Sequence, residues 1–122
     1  MKILLADDHE ANAMMIGDYL QDYGYEVTIA RNGLEALAKA EETSPHIIIM
    51  DIQMPDMDGL EAIRQLRIDP RFQATPIIAL TALAMSGDCE RSLEAGANEY
   101  MSKPVSLKAL AEKIQELLGQ EK

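Results

Sequence analysis

Five short apolar runs, each followed by a longer stretch of helical period, make up most of this chain. KILLA (2–6), EVTIA (26–30), IIIM (47–50), IIAL (77–80) and EYMS (99–102) have the length and composition of strands. The third and fourth are apolar throughout, the pattern of strands covered on both faces. Between and after them come ANAMMIGDYLQDYG, NGLEALAKAEET, GLEAIRQLR, SGDCERSLEAG and SLKALAEKIQELLG. In the last of these, Leu107, Leu110, Ala111, Ile114, Leu117 and Leu118 recur at spacings of three and four, so one helix face is apolar. Gly24, Gly96 and Gly119 follow helical runs as stops, and Ser106 precedes one as an N-cap. Five strand-then-helix units predict a doubly wound α/β domain with a parallel sheet, right-handed crossovers and helices on both faces. No linker, internal repeat or low-complexity segment interrupts the pattern, which places residues 1–122 in a single domain.

Composition narrows the function classes. At 122 residues the chain can build one hydrophobic core without disulfides or structural metal. Lysine and arginine number 11 against 21 acidic residues, a formal charge of -10, which argues against a nucleic-acid partner. No apolar run approaches the roughly 20 residues that cross a bilayer, and the run ending at Ala6 is too short for a signal-peptide core. The expectation is a cytoplasmic protein without membrane contact. Cys89 has no second cysteine to pair with and reads as a packing residue.

In open α/β sheets, functional groups gather beyond the carboxyl ends of the strands. After the first run come Asp7 and Asp8; Asp51 ends the third, Thr81 follows the fourth and Lys103 follows the fifth. Three carboxylates brought together repel one another unless a cation sits among them, so the cluster predicts a metal. The donors are hard oxygens, and His9 is the one histidine after a strand end. That donor set favours Mg²⁺, with Mn²⁺ as a substitute. Asp51, on the most buried strand, is also a potential nucleophile that can accept a phosphoryl group as an acyl phosphate. Lys103 would hold one phosphoryl oxygen as a mobile point charge, and Thr81 would donate a hydrogen bond to another. The chemistry expected is phosphoryl transfer onto Asp51.

LLADDHE, IIIMDIQMPDMDGLE, IIALTA and EYMSKPVSLKAL, in this order and spacing, resemble the receiver domain of two-component response regulators, the fold of the chemotaxis regulator CheY. The resemblance covers essentially the whole chain. It implies a flavodoxin-like sheet in the order 2-1-3-4-5 and makes Asp51 the phosphoacceptor. Asp8, Asp51 and the backbone carbonyl of Gln53 would ligate Mg²⁺, with Asp7 acting partly through water. It also implies a histidine kinase or histidine phosphotransfer domain as donor, and a cis bond at Lys103-Pro104, where sequence alone leaves an X-Pro bond mostly trans. Thr81 and Tyr100 would form the switch, remodelling the face made by the fourth helix, fifth strand and fifth helix for a downstream protein. Ala82 leaves phosphoryl entry open, and Leu83 and Met85 add apolar area to that face. By family position Gln53 and Leu83 flank the path of the hydrolytic water, the first orienting it and the second obstructing it. The segment 81–110 resembles receivers attached to hybrid sensor histidine kinases.

Neighbouring residues carry plainer alternatives. Gly59 either opens a helix or admits a close approach of backbone to the active loop. Asp56 and Asp58 read as a solvated loop shaped by Met54 and Pro55. His9 tunes the metal site, meets a donor, or simply leads exposed into the first helix. Two other functions compete. A Mg²⁺-dependent phosphohydrolase with an aspartyl nucleophile would want a second Asp two residues on, where Gln53 stands. A binding module independent of phosphorylation would be expected to lack part of the acidic cluster or the lysine, and both are present.

Overall fold

The computed structural model of the chain describes residues 1–52, 54, 59–81 and 87–119, with 88 and 89 as backbone only. Five parallel strands, β1 (Lys2–Ala6), β2 (Glu26–Ala30), β3 (Ile47–Asp51), β4 (Ile77–Thr81) and β5 (Glu99–Ser102), form one sheet in the order β2-β1-β3-β4-β5, as expected. The helices are α1 (Glu10–Gln21), α2 (Gly33–Thr43), α3 (Gly59–Ile68), α4 (Asp88–Ala95) and α5 (Leu107–Leu118).

Alternation along the strands splits the core into two layers. Leu4, Ile48, Met50, Ile77 and Ala79 meet the apolar faces of α2, α3 and α4. Ile3, Leu5, Ile47, Ile49, Ile78 and Leu80 meet those of α1 and α5. All five positions of β3 and of β4 are buried, so the two continuous apolar runs are the central strands. In β5, at one edge, half-buried and exposed residues alternate.

The structure differs from the sequence expectation at a few ends. β3 and β4 each run one residue further, making Asp51 and Thr81 the last members of their ladders, opposite Leu80 and Ser102. α1 stops at Gln21 instead of reaching Gly24, because a tight turn follows it. There Tyr23 and Gly24 donate to the carbonyls of Leu20 and Gln21 at 3.0 and 2.9 Å, and Gly24 takes φ +95°. A 3-10 turn at Pro70–Phe72, absent from the sequence reading, is opened by the Asp69 side chain accepting from the Arg71 amide. Ser106 does cap α5, its Oγ accepting from the Ala109 amide at 3.2 Å.

The end of the sheet where β4 begins is tied together by one half-buried side chain, Arg67. From the last turn of α3 its Nε donates to the Gly96 carbonyl at 2.8 Å. Its Nη1 reaches the carbonyls of Phe72 at 2.6 Å and Thr75 at 2.8 Å. Its Nη2 reaches Asn98 Oδ1 at 2.7 Å, an oxygen that also accepts from the Ile77 amide. Burial pulls the guanidinium down from its ordinary value, but five donors in a fixed fork keep it charged and matched to carbonyls. A side chain at Gly96 would strike the Arg67 Cγ, and φ there is +126°, so glycine is required. Arg67→Ala strands these carbonyls and is expected to lower unfolding stability by about 2–4 kcal/mol, read by urea denaturation.

Candidate functional site

Parallel register brings the acidic residues level. Ala6 pairs with Met50 and with Ala30, so the next residues, Asp7 and Asp51, leave the sheet side by side. Both continue the alternation of Ile3 and Leu5 or Ile47 and Ile49, and so face the side of the sheet covered by α1 and α5. The Lys103 amide donates to the Thr81 carbonyl at 2.8 Å, which holds the strand exit, and the Lys103-Pro104 bond that follows is cis, as the resemblance implied. From there Lys103 Nζ donates to Asp51 Oδ2 at 2.6 Å, and the Asp51 side chain is 1% exposed. A carboxylate buried to this degree needs such a charge-assisted partner.

Asp7 is fixed as firmly. Its Oδ1 accepts from the His9 amide at 2.9 Å and its Oδ2 from Asn12 Nδ2 at 2.7 Å. Asp8 is more open. One ligand atom from each of Asp7, Asp8, His9 and Asp51 lies within 4.8 Å of the others. Three carboxylates against the one bonded ammonium leave two formal negative charges, the charge that one divalent cation neutralises. The oxygen donors and this charge fit Mg²⁺.

Gly59 settles its two alternatives together. It opens α3, and its amide donates to the Ile52 carbonyl at 3.3 Å. A Cβ there would collide with the Asp51 carbonyl and lie 2.6 Å from Ile52 Cα, so only glycine lets α3 start against the residue carrying the carboxylate. Beside the cluster, an open cleft of about 750 Å³ is lined by His9, Ala11, Asn12, Met15, Lys103, Pro104 and Val105.

The sequence-derived residues Asp7, Asp8, Asp51 and Lys103 thus come together. Thr81 is fully buried at the end of β4, beside β3, and Tyr100, opposite Ala79, is 40% exposed. Gln53, Pro55, Asp56, Asp58, Ala82, Leu83, Met85 and the Cys89 side chain lie outside the described residues. Asn12 was missed, since its segment reads only as a helix. A signal was present: Asn12, Ile16 and Leu20 share one spacing of four, and the latter two are buried, so a polar group sits on the core-facing side.

A profile of the response regulator receiver domain matches residues 3–115. The chain belongs to the response-regulator receiver family. It is 42% identical to the polar-differentiation response regulator DivK of Brucella anthropi, over 96% of this chain and 95% of that protein. The receiver domain of sensor histidine kinase PA1611 from Pseudomonas aeruginosa, solved with magnesium in its active-site cleft, is 38% identical with a TM-score of 0.90, covering 97% of each chain. The chemotaxis regulator CheY4 of Vibrio cholerae is 34% identical with a TM-score of 0.89, over 95% of this chain and 97% of that one. Receiver domains signal with histidine kinases or phosphotransfer proteins and with downstream partners. Among the described residues, no helix is long and apolar enough to cross a membrane.

Removing the Asn12 amide would free the Asp7 carboxylate to rotate. Asn12→Ala is expected to weaken Mg²⁺ binding by roughly tenfold, as loss of a ligand-orienting partner does, measured by calorimetric titration.

Proposed function

We propose that this receiver takes a phosphoryl group onto Asp51 from the phosphohistidine of a histidine kinase or histidine phosphotransfer domain. The observation that carries this is Lys103 Nζ at 2.6 Å from Asp51 Oδ2, beside a cluster whose ligand atoms lie within 4.8 Å of one another. In the step, the donor's P–N bond breaks, a P–O bond forms to the Asp51 carboxylate, and the donor imidazole leaves with the electron pair. Lys103 turns from Asp51 toward a phosphoryl oxygen, and Thr81 donates its hydroxyl to another. Asp8, Asp51 and the Gln53 carbonyl would hold Mg²⁺, with Asp7 partly through water and Mn²⁺ as a substitute. A bound divalent ion supplies neutralisation of the phosphoryl charge. The domain assists its own phosphorylation and dephosphorylation without being an enzyme acting on a separate substrate.

The cleft between the start of α1 and residues 103–105 lies against Lys103 and offers the donor an approach. On the output side, movement of Thr81 toward the phosphoryl group and of Tyr100 inward would remodel the α4-β5-α5 face for a downstream protein. All of residues 1–122 act as this one domain, in the cytoplasm, without nucleic-acid or membrane contact. The likeness to PA1611 supports attachment to a hybrid kinase, and that to DivK supports a free-standing regulator.

Intact mass after incubation with acetyl phosphate tests the assignment. One phosphoryl adduct is expected, dependent on Mg²⁺, labile in base and absent from Asp51→Asn; no adduct from acetyl phosphate or from a phosphohistidine donor, or one that survives Asp51→Asn, would refute it. Leu83→Ala is expected to shorten the lifetime of that adduct severalfold and Gln53→Ala to lengthen it, followed by the decay of the same mass signal.

A further inference from the structure

His9 is the N-cap residue of α1, yet its side chain makes no capping hydrogen bond. The imidazole is turned to the carboxylates instead, with Nδ1 at 3.6 Å from Asp8 Oδ1 and 3.8 Å from Asp7 Oδ1. These separations exceed a hydrogen bond. They are within the span of one coordination shell, because two ligand atoms each about 2.1 Å from a metal lie at most about 4.2 Å apart, and a small turn of the exposed ring brings Nδ1 to the roughly 3 Å of adjacent octahedral positions. The backbone fixes this placement: the His9 amide donates to Asp7 Oδ1 at 2.9 Å, so the ring starts from a residue tied to the cluster. The side chain is 74% exposed, which leaves the nitrogen open to an arriving ion without loss of any core contact.

We propose, on the receiver reading given above, that the His9 imidazole is a direct ligand of the divalent ion in this pocket, biasing it toward Mn²⁺, Co²⁺ and Zn²⁺ relative to Mg²⁺. The physical ground is ligand softness. Mg²⁺ takes oxygen donors and keeps its waters, whereas the first-row ions gain from an imidazole nitrogen, more for Co²⁺ than for Mn²⁺ and most for Cu²⁺, with Zn²⁺ below Cu²⁺. With three carboxylates alone the pocket would follow the ordinary oxygen-site preference. With a nitrogen added, it fills with a transition ion at a lower free concentration, and its occupancy responds to which metals are present. The other histidine, His46, is placed differently: its Nδ1 accepts from the Lys2 amide at 2.9 Å, where β1 and β3 begin, at the far end of the sheet.

The test is calorimetric titration of the full chain with Mg²⁺, Mn²⁺ and Co²⁺ for wild type, His9→Gln, His9→Ala, His46→Gln and Asp51→Asn. Electron spin-echo spectra of the Mn²⁺-loaded proteins accompany it, since these detect a coordinated nitrogen directly. Both His9 variants are expected to lose Co²⁺ affinity by about tenfold or more, with a loss for Mg²⁺ below about threefold. The nitrogen coupling should be present in wild type and His46→Gln and absent from His9→Gln. If wild type binds Mg²⁺ through Asp51, but Co²⁺ affinity ignores His9 and the nitrogen coupling is missing, His9 is not a ligand and the receiver assignment stands. If Mg²⁺ does not bind, or binds equally well to Asp51→Asn, the receiver assignment of the pocket fails as well.

Discussion

Like charges have to be held together in this protein, and most of its architecture follows from that requirement. Asp7 and Asp51 are nearly closed to solvent at neighbouring strand ends, where their mutual repulsion is little screened. Flexible supports would let them drift apart. The strands that carry them are instead the inner ones of the sheet, paired on both sides and packed by helices on both faces. Lys103 then offsets one charge at 2.6 Å, and Asn12 and the His9 amide lock the Asp7 carboxylate from α1. The apolar run before Asp51 is therefore part of the site, since its burial keeps the carboxylate from retreating into water.

Much of this was legible in the sequence because it follows from periodicity. Continuous apolar runs marked β3 and β4 as central, and the residue after each run marked the site. What escaped has a common physical character. Asn12 and Arg67 act through side-chain hydrogen bonds to groups outside their own helices, Asn12 to Asp7 and Arg67 to several carbonyls and Asn98, and nothing in their own helices distinguishes them except a polar group near a buried face. The early end of α1 escaped because the turn at Tyr23 and Gly24 is decided by backbone hydrogen bonds to Leu20 and Gln21. The two alternatives for Gly59 could be joined only once α3 was seen to start against the Asp51 backbone.

The two ends of the sheet are built on opposite electrostatic plans. At the carboxyl ends, charges of one sign converge and are incompletely offset. Where β4 begins, the Arg67 cation is bonded to neutral carbonyl and amide oxygens through all three of its nitrogens. Fixing α3, the 3-10 turn and the approach to β5 at this end leaves the opposite end of α4, which follows the segment after Thr81, outside the clasp.

The acidic pocket would also couple folding to metal. Whatever divalent ion binds the native pocket has no equivalent arrangement in the unfolded chain, so binding and folding share one equilibrium. At a free ion concentration a hundredfold above its dissociation constant, native stability rises by about 2.7 kcal/mol. With such an ion bound, the melting temperature would be a property of the ionic surroundings as much as of the sequence.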